Sequence, residues 1–486
     1  MQYKWLVLSN TTIATLMASL DTNIVLIALP TIGQQLAGAS ATSLLWILLG
    51  YSLVTAVVLL NFGRLSDMLG RVRLYVIGFA VFTVGSFACG LAPNADALIA
   101  FRMLQAIGAG FLFSNSAAII TDAFPPSERG RALGINQVSI VVGSVTGLVL
   151  GGIITSTIGW QWIFFVNVPI GAVATWRAHR DLHELAKLQR DEPIDWTGNV
   201  VFAGGLALVL IAMTFGSLGQ WDALETGSGL ALGFALLIAF VLIERKVRFP
   251  MLDLSLFRSG LFTDSTAASF LNALARGAFT FVMVFYLQGP PNFLSPFQAG
   301  LFLVPVSAAL AVAGPVSGTL SDRYGRHWFT ISGLVVVMAG FAWLATIPEG
   351  APFYILVGPF VLLGTGMGLF ASPNRATMMS AVPPERRGVA SGIGTTLVNT
   401  GATISLGLTL VIMSQTLPLS SLEAILLGTS HGQSSSVAAD FLNGVHVVFL
   451  FSAAMVGIAL LLLILRHRAR KSTADTGLHV EVTEVG

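Results

Sequence analysis

Long apolar segments alternate with short polar gaps along the whole chain, and positive charges occupy only every second gap. All of the 25 Lys and Arg residues lie in those alternate gaps or at their edges, except Arg102 and Arg276, which fall inside apolar segments. A helix needs about 20 mostly apolar residues to span a bilayer, and cytoplasmic loops carry the excess of Lys and Arg. The pattern therefore predicts a multi-pass helical protein of the plasma membrane with both termini in the cytoplasm.

Roughly fourteen segments reach the spanning length by hydropathy. Their approximate limits are 5–29, 43–62, 73–92, 97–121, 132–156, 162–178, 197–217, 228–245, 263–287, 297–318, 329–347, 353–374, 388–414 and 444–465. A composition of 55% hydrophobic and 10% charged residues fits a helical membrane protein better than any soluble class. The basic residues follow from this topology, so they give no support to a nucleic-acid partner. Cys89 is the only cysteine, which excludes an intrachain disulfide or a thiolate metal site.

Two motifs occur twice, in the same order. The copies are GRLSDMLGR from Gly63 and GTLSDRYGR from Gly318, then PPSERGRALG from Pro125 and PPERRGVASG from Pro383. Duplicated halves that hold substrate at their interface near the bilayer midplane are the architecture of secondary transporters. The repetition predicts an N-terminal six-helix bundle (1–178), a cytoplasmic linker with two extra transmembrane helices (179–262), a C-terminal six-helix bundle (263–466) and a cytoplasmic tail (467–486).

Three further motifs are LDTNIVLIALP from Leu20, RMLQAIGAG from Arg102 and GSVTGLVLGG from Gly143. Together with the doubled G-x-L-x-D-x-x-G-R loop, they make the chain resemble the major facilitator superfamily, specifically its fourteen-helix drug:proton antiporter branch. Leu148 stands where the helix 5 motif usually has proline. The resemblance implies an all-α integral membrane protein with fourteen transmembrane helices, arranged as 6 + 2 + 6 with two pseudo-symmetric halves.

Only Asp21, Arg102 and Arg276 place an ionisable side chain well inside an apolar segment. Such residues cost about 2.5–3.5 kcal/mol on insertion scales and are functional candidates by default. Burial favours the protonated form of a carboxylate and a nearby cation favours the ionised form, so Asp21 is suited to carry a coupling proton. Helix rise places Asp21 and Arg102 at similar depth, which permits an ion pair. The alternative is that this pair only joins helices 1 and 4.

Polar side chains near this depth predict a substrate cavity. Gln105 shares the helical face of Arg102, and Ser269, Asn272, Arg276 and Thr280 form one polar stripe of the kind that lines water. The full set of predicted cavity residues is Asp21, Arg102, Gln105, Asn115, Asn272, Arg276, Thr280 and Asn399. The resemblance puts helices 1, 4 and 9 around this cavity, where two guanidiniums against one carboxylate favour a neutral, zwitterionic or anionic group. Alternatively, Arg276 only competes with Arg102 for Asp21.

The resemblance also assigns a gate to the repeated loops, because in that family their Asp and Arg form a charge network with an acid at the cytoplasmic end of helix 4. The matching residues are Asp67, Arg71 and Asp122 in the first half, and Asp322 and Arg326 in the second. Ser380 stands in the place of Asp122 in the second half, so we expect a weaker gate there. The glycines expected to let helix 5 pack closely are Gly143, Gly147, Gly151 and Gly152.

The predicted function is proton-coupled secondary active transport that exports amphipathic small molecules by alternating access. The alternative is an exporter of one endogenous metabolite or lipid, anionic ones included; a receptor and a proton-independent facilitator remain open. The sequence has no G-x-x-x-x-G-K-[ST] loop for ATP hydrolysis, so we expect no enzyme and no cofactor or metal, with the proton gradient as energy source. Expected partners are the substrate, protons and the lipid bilayer, and we expect a monomer. Residues 415–443 are interpreted as a flexible lid or a plain linker.

Overall fold

Every regular element is helical in the residues that the structure describes. The structure, a computed structural model, describes residues 2–125, 128–185, 195–247, 250–383, 386–430 and 435–481, without the side chains at 60, 61, 63, 64, 67, 130, 388, 435 and 466–481. The α-helices are α1 (Tyr3–Gln35), α2 (Ala41–Leu69), α3 (Arg71–Gly90), α4 (Ala95–Ala123), α5 (Arg129–Thr157), α6 (Trp162–Phe165), α7 (Asn167–Asp181), α8 (Trp196–Ser217), α9 (Ala223–Glu244), α10 (Gly260–Arg276), α11 (Phe279–Gln288), α12 (Pro296–Tyr324), α13 (Arg326–Leu344), α14 (Phe353–Ser380), α15 (Arg387–Thr416), α16 (Leu419–Leu426) and α17 (Ser435–Glu481). A 3₁₀ helix, Leu254–Arg258, precedes α10.

Thirteen segments of the described residues are long and apolar enough to cross a membrane, which confirms the predicted fold class. The sixth predicted segment, 162–178, differs because it forms two helices, α6 and α7, each too short to span alone. Val166 between them keeps helical dihedral angles. Pro169 has no amide hydrogen to donate to the carbonyl of Phe165 four residues earlier, so the α-helical ladder is interrupted there.

The ninth predicted segment, 263–287, is also interrupted, between α10 and α11. Gly277 lies against α15, and a Cβ at this position would come within 2.6 Å of the Ala402 carbonyl oxygen. The amide of Ala278 donates to Ser405 Oγ across 3.0 Å. Close contact with α15 therefore accompanies the break, while the chain remains apolar from Gly260 to Gln288.

The repeat in the sequence is also a repeat in the packing. In the first half α5 packs on α1, and α4 packs on both α2 and α3; in the second half α15 packs on α10, and α14 packs on both α12 and α13. The turn of each repeated loop has a glycine with positive φ, 109° at Gly70 and 99° at Gly325, a conformation that glycine adopts without the steric cost of a Cβ. The exact division at 178, 262 and 466 stays a prediction.

The two halves meet through α5 with α12 and through α2 with α15, and α8 packs on both α2 and α15. On the predicted outer side the contact is tight: a Cβ at Gly300 of α12 would lie 2.5 Å from the Leu148 carbonyl oxygen. Gln288 also donates from Nε2 to the Ile27 carbonyl across 2.9 Å. On the predicted inner side, Cβ atoms at Gly134 of α5 and Gly314 of α12 would meet nothing within 4 Å. The halves are thus in close contact on the outer side, whereas Gly134 and Gly314 face open space.

The loop 415–443 contains a packed helix, α16, so its described part is more than a plain linker. Leu422 and Ile425 are buried on one face of α16, because apolar residues three apart share a helical face. Just beyond it, Gln34 near the end of α1 donates from Nε2 to the Gly428 carbonyl across 2.5 Å. This helix therefore covers the outer end of α1.

Candidate functional site

A buried ion pair lies in the middle of the first half. The carboxylate of Asp21 on α1 is fully buried, and Arg102 Nη1 on α4 donates to its Oδ2 across 2.6 Å. Gln105, one turn further along α4, donates from Nε2 to Asp21 Oδ1 across 2.8 Å and accepts from Arg102 Nη1 across 2.6 Å. The structure thus brings three of the predicted cavity residues into one network, with both carboxylate oxygens bonded.

Asn167 is a further member of this network that the sequence analysis missed. It is the first residue of α7, and its Nδ2 donates to Asp21 Oδ1 across 2.9 Å and to Ser86 Oγ across 3.4 Å. Ser86 Oγ in turn donates to the carbonyl oxygen of Phe164 across 2.9 Å. The sequence contains a feature that could have identified it, because Asn167 is the only amide side chain in the predicted segment 162–178.

Aromatic rings enclose the guanidinium of Arg102. Its central carbon lies 4.1 Å from the ring centre of Tyr51 and 5.9 Å from that of Phe164, distances at which a cation is attracted to a ring face. Arg102 is 1% exposed and Asp21 0%. Removing two charges from water is costly, and only good geometry with additional hydrogen bonds offsets that cost. The charged pair is therefore held by the whole network rather than by mutual attraction alone.

The accessible surface of the protein approaches this buried pair closely. Thr22, the residue after Asp21, is exposed although it lies in the middle of a membrane-spanning helix. Consecutive residues of an α-helix point about 100° apart. Accessible surface therefore lies next to Asp21 along α1, while the carboxylate itself points into the protein.

Two glycines set the position of α1 relative to α5. A Cβ at Gly143 would lie 2.5 Å from the Leu16 carbonyl oxygen, and one at Gly147 would lie 2.6 Å from the Leu20 carbonyl oxygen. Small residues at such positions allow membrane helices to approach each other closely. Because Leu20 precedes Asp21, this contact also fixes the depth of the carboxylate.

The other two glycines of the helix 5 motif contact different partners. A Cβ at Gly151 would lie 2.6 Å from Ile27 Cγ2 on α1, whereas one at Gly152 would lie 2.6 Å from the Cα of Phe297 on α12. The same motif thus packs on its own half through Gly151 and on the opposite half through Gly152. It joins the buried pair of the first half to the closed outer contact between the halves.

Arg276 is accessible and lies apart from the ion pair. It ends α10 and is exposed, although it belongs to a membrane-spanning segment. No hydrogen bond or ion pair among the described residues involves Arg276, so competition with Arg102 for Asp21 is not present in this conformation. Asn272, one turn earlier, is buried and its Oδ1 has no partner in the described part of the chain. Thr280 lies in α11, so the predicted polar stripe crosses a helix break.

The remaining predicted cavity residues also lie outside the Asp21 network. Asn115 on α4 is buried, and its Nδ2 donates to the Phe111 carbonyl across 2.8 Å. Asn399 on α15 is half-buried, and its backbone carbonyl accepts from Thr403 Oγ1 across 2.8 Å. The structure therefore groups Asp21, Arg102 and Gln105, and leaves the other predicted cavity residues at separate positions.

Arg375 is a second accessible guanidinium that hydropathy placed at a helix end. The predicted span stops at residue 374, but α14 continues to Ser380, so Arg375 lies inside the helix. Its side chain is exposed and donates from Nη2 to Ser391 Oγ across 3.0 Å. Two arginines, Arg276 and Arg375, thus contribute accessible positive charge to membrane-spanning helices of the second half.

The first predicted gate contains a bidentate ion pair. Arg71 at the start of α3 donates from Nη1 to both carboxylate oxygens of Asp122 near the end of α4, across 2.8 and 2.7 Å. Both side chains are about one quarter exposed. Asp67, the third predicted member, lies in α2, but its side chain is outside the described residues.

The second predicted gate has a different geometry. Arg326 donates from Nη2 to Asp322 Oδ1 across 2.9 Å, and both side chains are exposed. Toward α14 it reaches only neutral acceptors, Ser380 Oγ at 3.5 Å and the Ala376 carbonyl at 3.4 Å. Hydrogen bonds to a charged acceptor are shorter and stronger than those to neutral ones. The link from the loop to α14 therefore lacks the ionic partner that Asp122 provides in the first half.

The single cysteine lies beside the buried network. Cys89 is buried, with its Sγ 3.9 Å from Gln105 Oε1. Within the ranges that the structure describes, no group of three or more His, Cys, Asp or Glu residues is placed to hold a metal ion. The groups in the network are a carboxylate, a guanidinium, two amides and the Ser86 hydroxyl.

Two like helical bundles with charged groups buried at mid-membrane define a membrane transport protein. A family model confirms this class: the model described as Major Facilitator Superfamily matches residues 11–406 and, in a second match, residues 265–482. The chain belongs to the major facilitator superfamily and is a multi-pass protein of the cell membrane.

Curated relatives include both dedicated and multidrug transporters. The riboflavin transporter RibZ of Clostridioides difficile is 33% identical over 403 residues, which cover 82% of this chain and 86% of RibZ. The multidrug resistance protein Stp of Mycobacterium tuberculosis is 34% identical over 403 residues, covering 82% of this chain and 74% of Stp. The multidrug transporter protein MdtP of Bacillus subtilis is 28% identical over 413 residues, covering 84% and 75%. The resemblance to drug-efflux members of the superfamily is thereby confirmed.

Solved structures with the same fold include a bacterial homolog of the human lysosomal transporter Spinster in an inward-facing and unoccupied conformation. It matches with a TM-score of 0.66 and 16% identity, covering 96% of this chain and 97% of that one. An auto-inhibited peptide transporter of the POT family matches with a TM-score of 0.66 and 20% identity, covering 96% and 97%. At these identities the likeness is one of fold alone.

Proposed function

We propose that the protein is a drug:H+ antiporter, which exports amphipathic small molecules in exchange for protons by alternating access. The observation that carries this proposal is the Asp21 carboxylate, fully buried in a membrane-spanning helix and bonded by Arg102, Gln105 and Asn167. Protonation of Asp21 removes the charge that attracts Arg102, and ionisation restores it. One residue thereby couples a proton to the packing of α1, α4 and α7.

The close outer contact between the halves suits a state that awaits substrate from the cytoplasm. In the proposed cycle Asp21 returns to this state with a proton, loses it to the cytoplasm as substrate is captured, and is then ionised and paired with Arg102. After the halves exchange their inner and outer contacts, Asp21 takes a proton from outside and the substrate leaves. Packed interfaces that switch between two arrangements provide such a two-state element.

The proposal extends to location, energy source and assembly. The Lys and Arg asymmetry supports a plasma-membrane orientation with both termini in the cytoplasm. The proton gradient supplies the energy, with no cofactor, and the working unit is a monomer. The partners are an amphipathic substrate, protons and the bilayer.

A second candidate function is export of one endogenous metabolite or lipid with an acidic group. Arg276 favours it, because this accessible guanidinium has no partner among the described residues and Asp21 is already paired with Arg102. Arg375 adds a further accessible positive charge. The name of RibZ, a riboflavin transporter, also supports a dedicated substrate at this level of similarity.

Replacing Arg276 with Gln is expected to lower transport of an anionic amphiphile such as taurocholate about tenfold, because a hydrogen bond to a charged group contributes roughly 1.5–3 kcal/mol. Transport of the cation tetraphenylphosphonium should stay within about twofold of the wild-type rate, since a guanidinium does not attract a cation. Initial rates in proteoliposomes measure both. Arg258→Gln, an exposed arginine in the 3₁₀ helix outside the membrane spans, is the control. An equal loss for both compounds would remove Arg276 from substrate recognition.

The test of the proposed function is transport by purified protein in liposomes that carry an imposed pH gradient. Riboflavin, taurocholate and tetraphenylphosphonium serve as zwitterionic or neutral, anionic and cationic probes. We expect at least one of them to accumulate against its concentration gradient, and a protonophore to abolish that accumulation. Transport that is unaffected by the protonophore would contradict antiport and favour facilitated diffusion.

A further inference from the structure

A groove runs along the lipid-facing side of the first half, between α3 and α7 and away from the Asp21 network. Two adjoining cavities of about 480 and 530 Å³ form it, and they share Val76 and His179. The two helices touch at the floor of the groove, where a Cβ at Gly171 would collide with Thr83 Oγ1. Small residues therefore bring the helices together and leave a channel along their outer faces.

The lining of the groove changes from apolar to basic along its length. The apolar part is lined by Val76, Ala80, Val84, Ala172 and Trp176. The other part, toward the predicted cytoplasmic surface, includes Arg73, His179 and His183. From Val84 to Arg73 the helix rises about 16 Å, comparable to the length of a lipid acyl chain.

The basic end retains positive charge that the protein does not neutralise. Arg73 is exposed, and no hydrogen bond or ion pair among the described residues involves it. Arg180 lies at the rim, with its guanidinium carbon 5.4 Å from the ring centre of Trp176.

Two acids lie at this end of the groove, Glu184 in its lining and Asp181 near it, and both are engaged. Glu184 Oε2 accepts from the backbone amide of Val72 across 3.0 Å. Asp181 lies 3.9 Å from Arg177 and 4.0 Å from Arg180. Among the described residues, no acid forms an ion pair with Arg73, which is therefore the positively charged side chain of the lining that remains available to a ligand.

We propose that this groove is a binding site for an anionic glycerophospholipid of the cytoplasmic leaflet. An acyl chain lies along the apolar lining and the phosphate lies beside Arg73, because basic pockets between membrane helices on the cytoplasmic side attract anionic headgroups. The proposal depends on the predicted orientation of the chain in the membrane, and it does not depend on which substrate is transported. Arg73 is in the same helical turn as Arg71, which holds Asp122, so an occupied groove lies directly beside the first gate.

The test uses fluorescence quenching by lipids with brominated acyl chains. The full-length protein is placed in phosphatidylcholine nanodiscs that contain a small fraction of brominated phosphatidylglycerol or, separately, brominated phosphatidylcholine. The chain has nine tryptophans, so the signal of Trp176 is obtained as the difference between wild type and Trp176→Phe. We expect brominated phosphatidylglycerol to quench Trp176 with about fivefold higher apparent affinity, the effect of one basic residue near an anionic surface.

Two variants decide whether the preference belongs to this site. Arg73→Gln should make the two lipids quench with about equal apparent affinity, whereas Arg258→Gln, which is exposed in the 3₁₀ helix before α10, should retain the preference. Equal quenching by the two lipids in wild type, or an unchanged preference in Arg73→Gln, would overturn the proposal. Displacement of the brominated lipid by soluble glycerol 3-phosphate would also overturn it, because the occupant would then be a free phosphate compound.

Discussion

Asp21→Asn is expected to abolish pH-gradient-driven accumulation of substrate, down to the level of empty liposomes. Asparagine is close to aspartate in size but neither binds nor releases a proton, and no other carboxylate lies in the buried network with Arg102, Gln105 and Asn167. Exchange of labelled for unlabelled substrate requires no net proton movement, so it should survive in this variant. The two assays together separate a coupling role from a structural one.

The matched control for this variant is Asp96→Asn. Asp96 lies in the first turn of α4 and is exposed, so loss of its charge should leave both accumulation and exchange near wild type. If Asp21→Asn lost exchange as well as accumulation, Asp21 would be a structural partner of Arg102. If it retained accumulation, the coupling proton would have to reside elsewhere.

Arg102→Ala is expected to cause the largest loss of stability among single changes in the network. It leaves the Asp21 carboxylate buried without its cation, and breaking a buried pair by removing one partner costs about 3–5 kcal/mol. It also removes a large side chain that packs on the ring of Tyr51. Unfolding by SDS in mixed micelles measures the change in free energy.

The double variant Asp21→Asn with Arg102→Ala tests the origin of that loss. Since it leaves no unpaired charge, it should be more stable than Arg102→Ala alone, which is the signature of coupled residues. Arg258→Ala, outside the membrane spans, should change the stability by less than about 0.5 kcal/mol. A loss of that small size for Arg102→Ala would show that the ion pair contributes little to the fold.

Much of the site could be predicted because helix geometry and charge leave few choices. Asp21 and Arg102 are the charged side chains buried in the described part of the first half, and the constant rise of a helix places them at one depth. Gln105 followed from its spacing to Arg102. The glycines of α5 were predictable from the need for close packing. Only the structure shows that Gly152 contacts α12 while the other three contact α1.

Other parts of the site depend on where helices break, which hydropathy does not report. Asn167 reaches Asp21 because α6 and α7 are separate helices, and Pro169 is the sequence feature behind that break. Arg276 and Thr280 lie on opposite sides of a break between α10 and α11, where Gly277 contacts α15. Tertiary contacts of this kind are absent from a single-sequence reading.

Helix ends account for the remaining differences. Arg375 was assigned to a loop because polar residues lower the hydropathy after residue 374, yet α14 continues to Ser380. The outer loop was assigned no structure because serine and glycine are frequent in it, yet the apolar spacing of Leu422 and Ile425 forms α16. Hydropathy thus located the crossing of α14 but not its full length, and it does not detect a short helix such as α16 outside the membrane spans.

The measurement that tests the central claim most directly is proton release when a transported compound binds to the purified protein. Wild type and Asp21→Asn are titrated in weakly buffered detergent solution with a compound that the liposome assay shows to be transported, riboflavin first. Because coupling between two ligands is reciprocal, binding to wild type should release up to about one proton per bound molecule, and binding to Asp21→Asn should release none. Equal release from both proteins, or no release from wild type at any pH tested, would contradict proton exchange at Asp21.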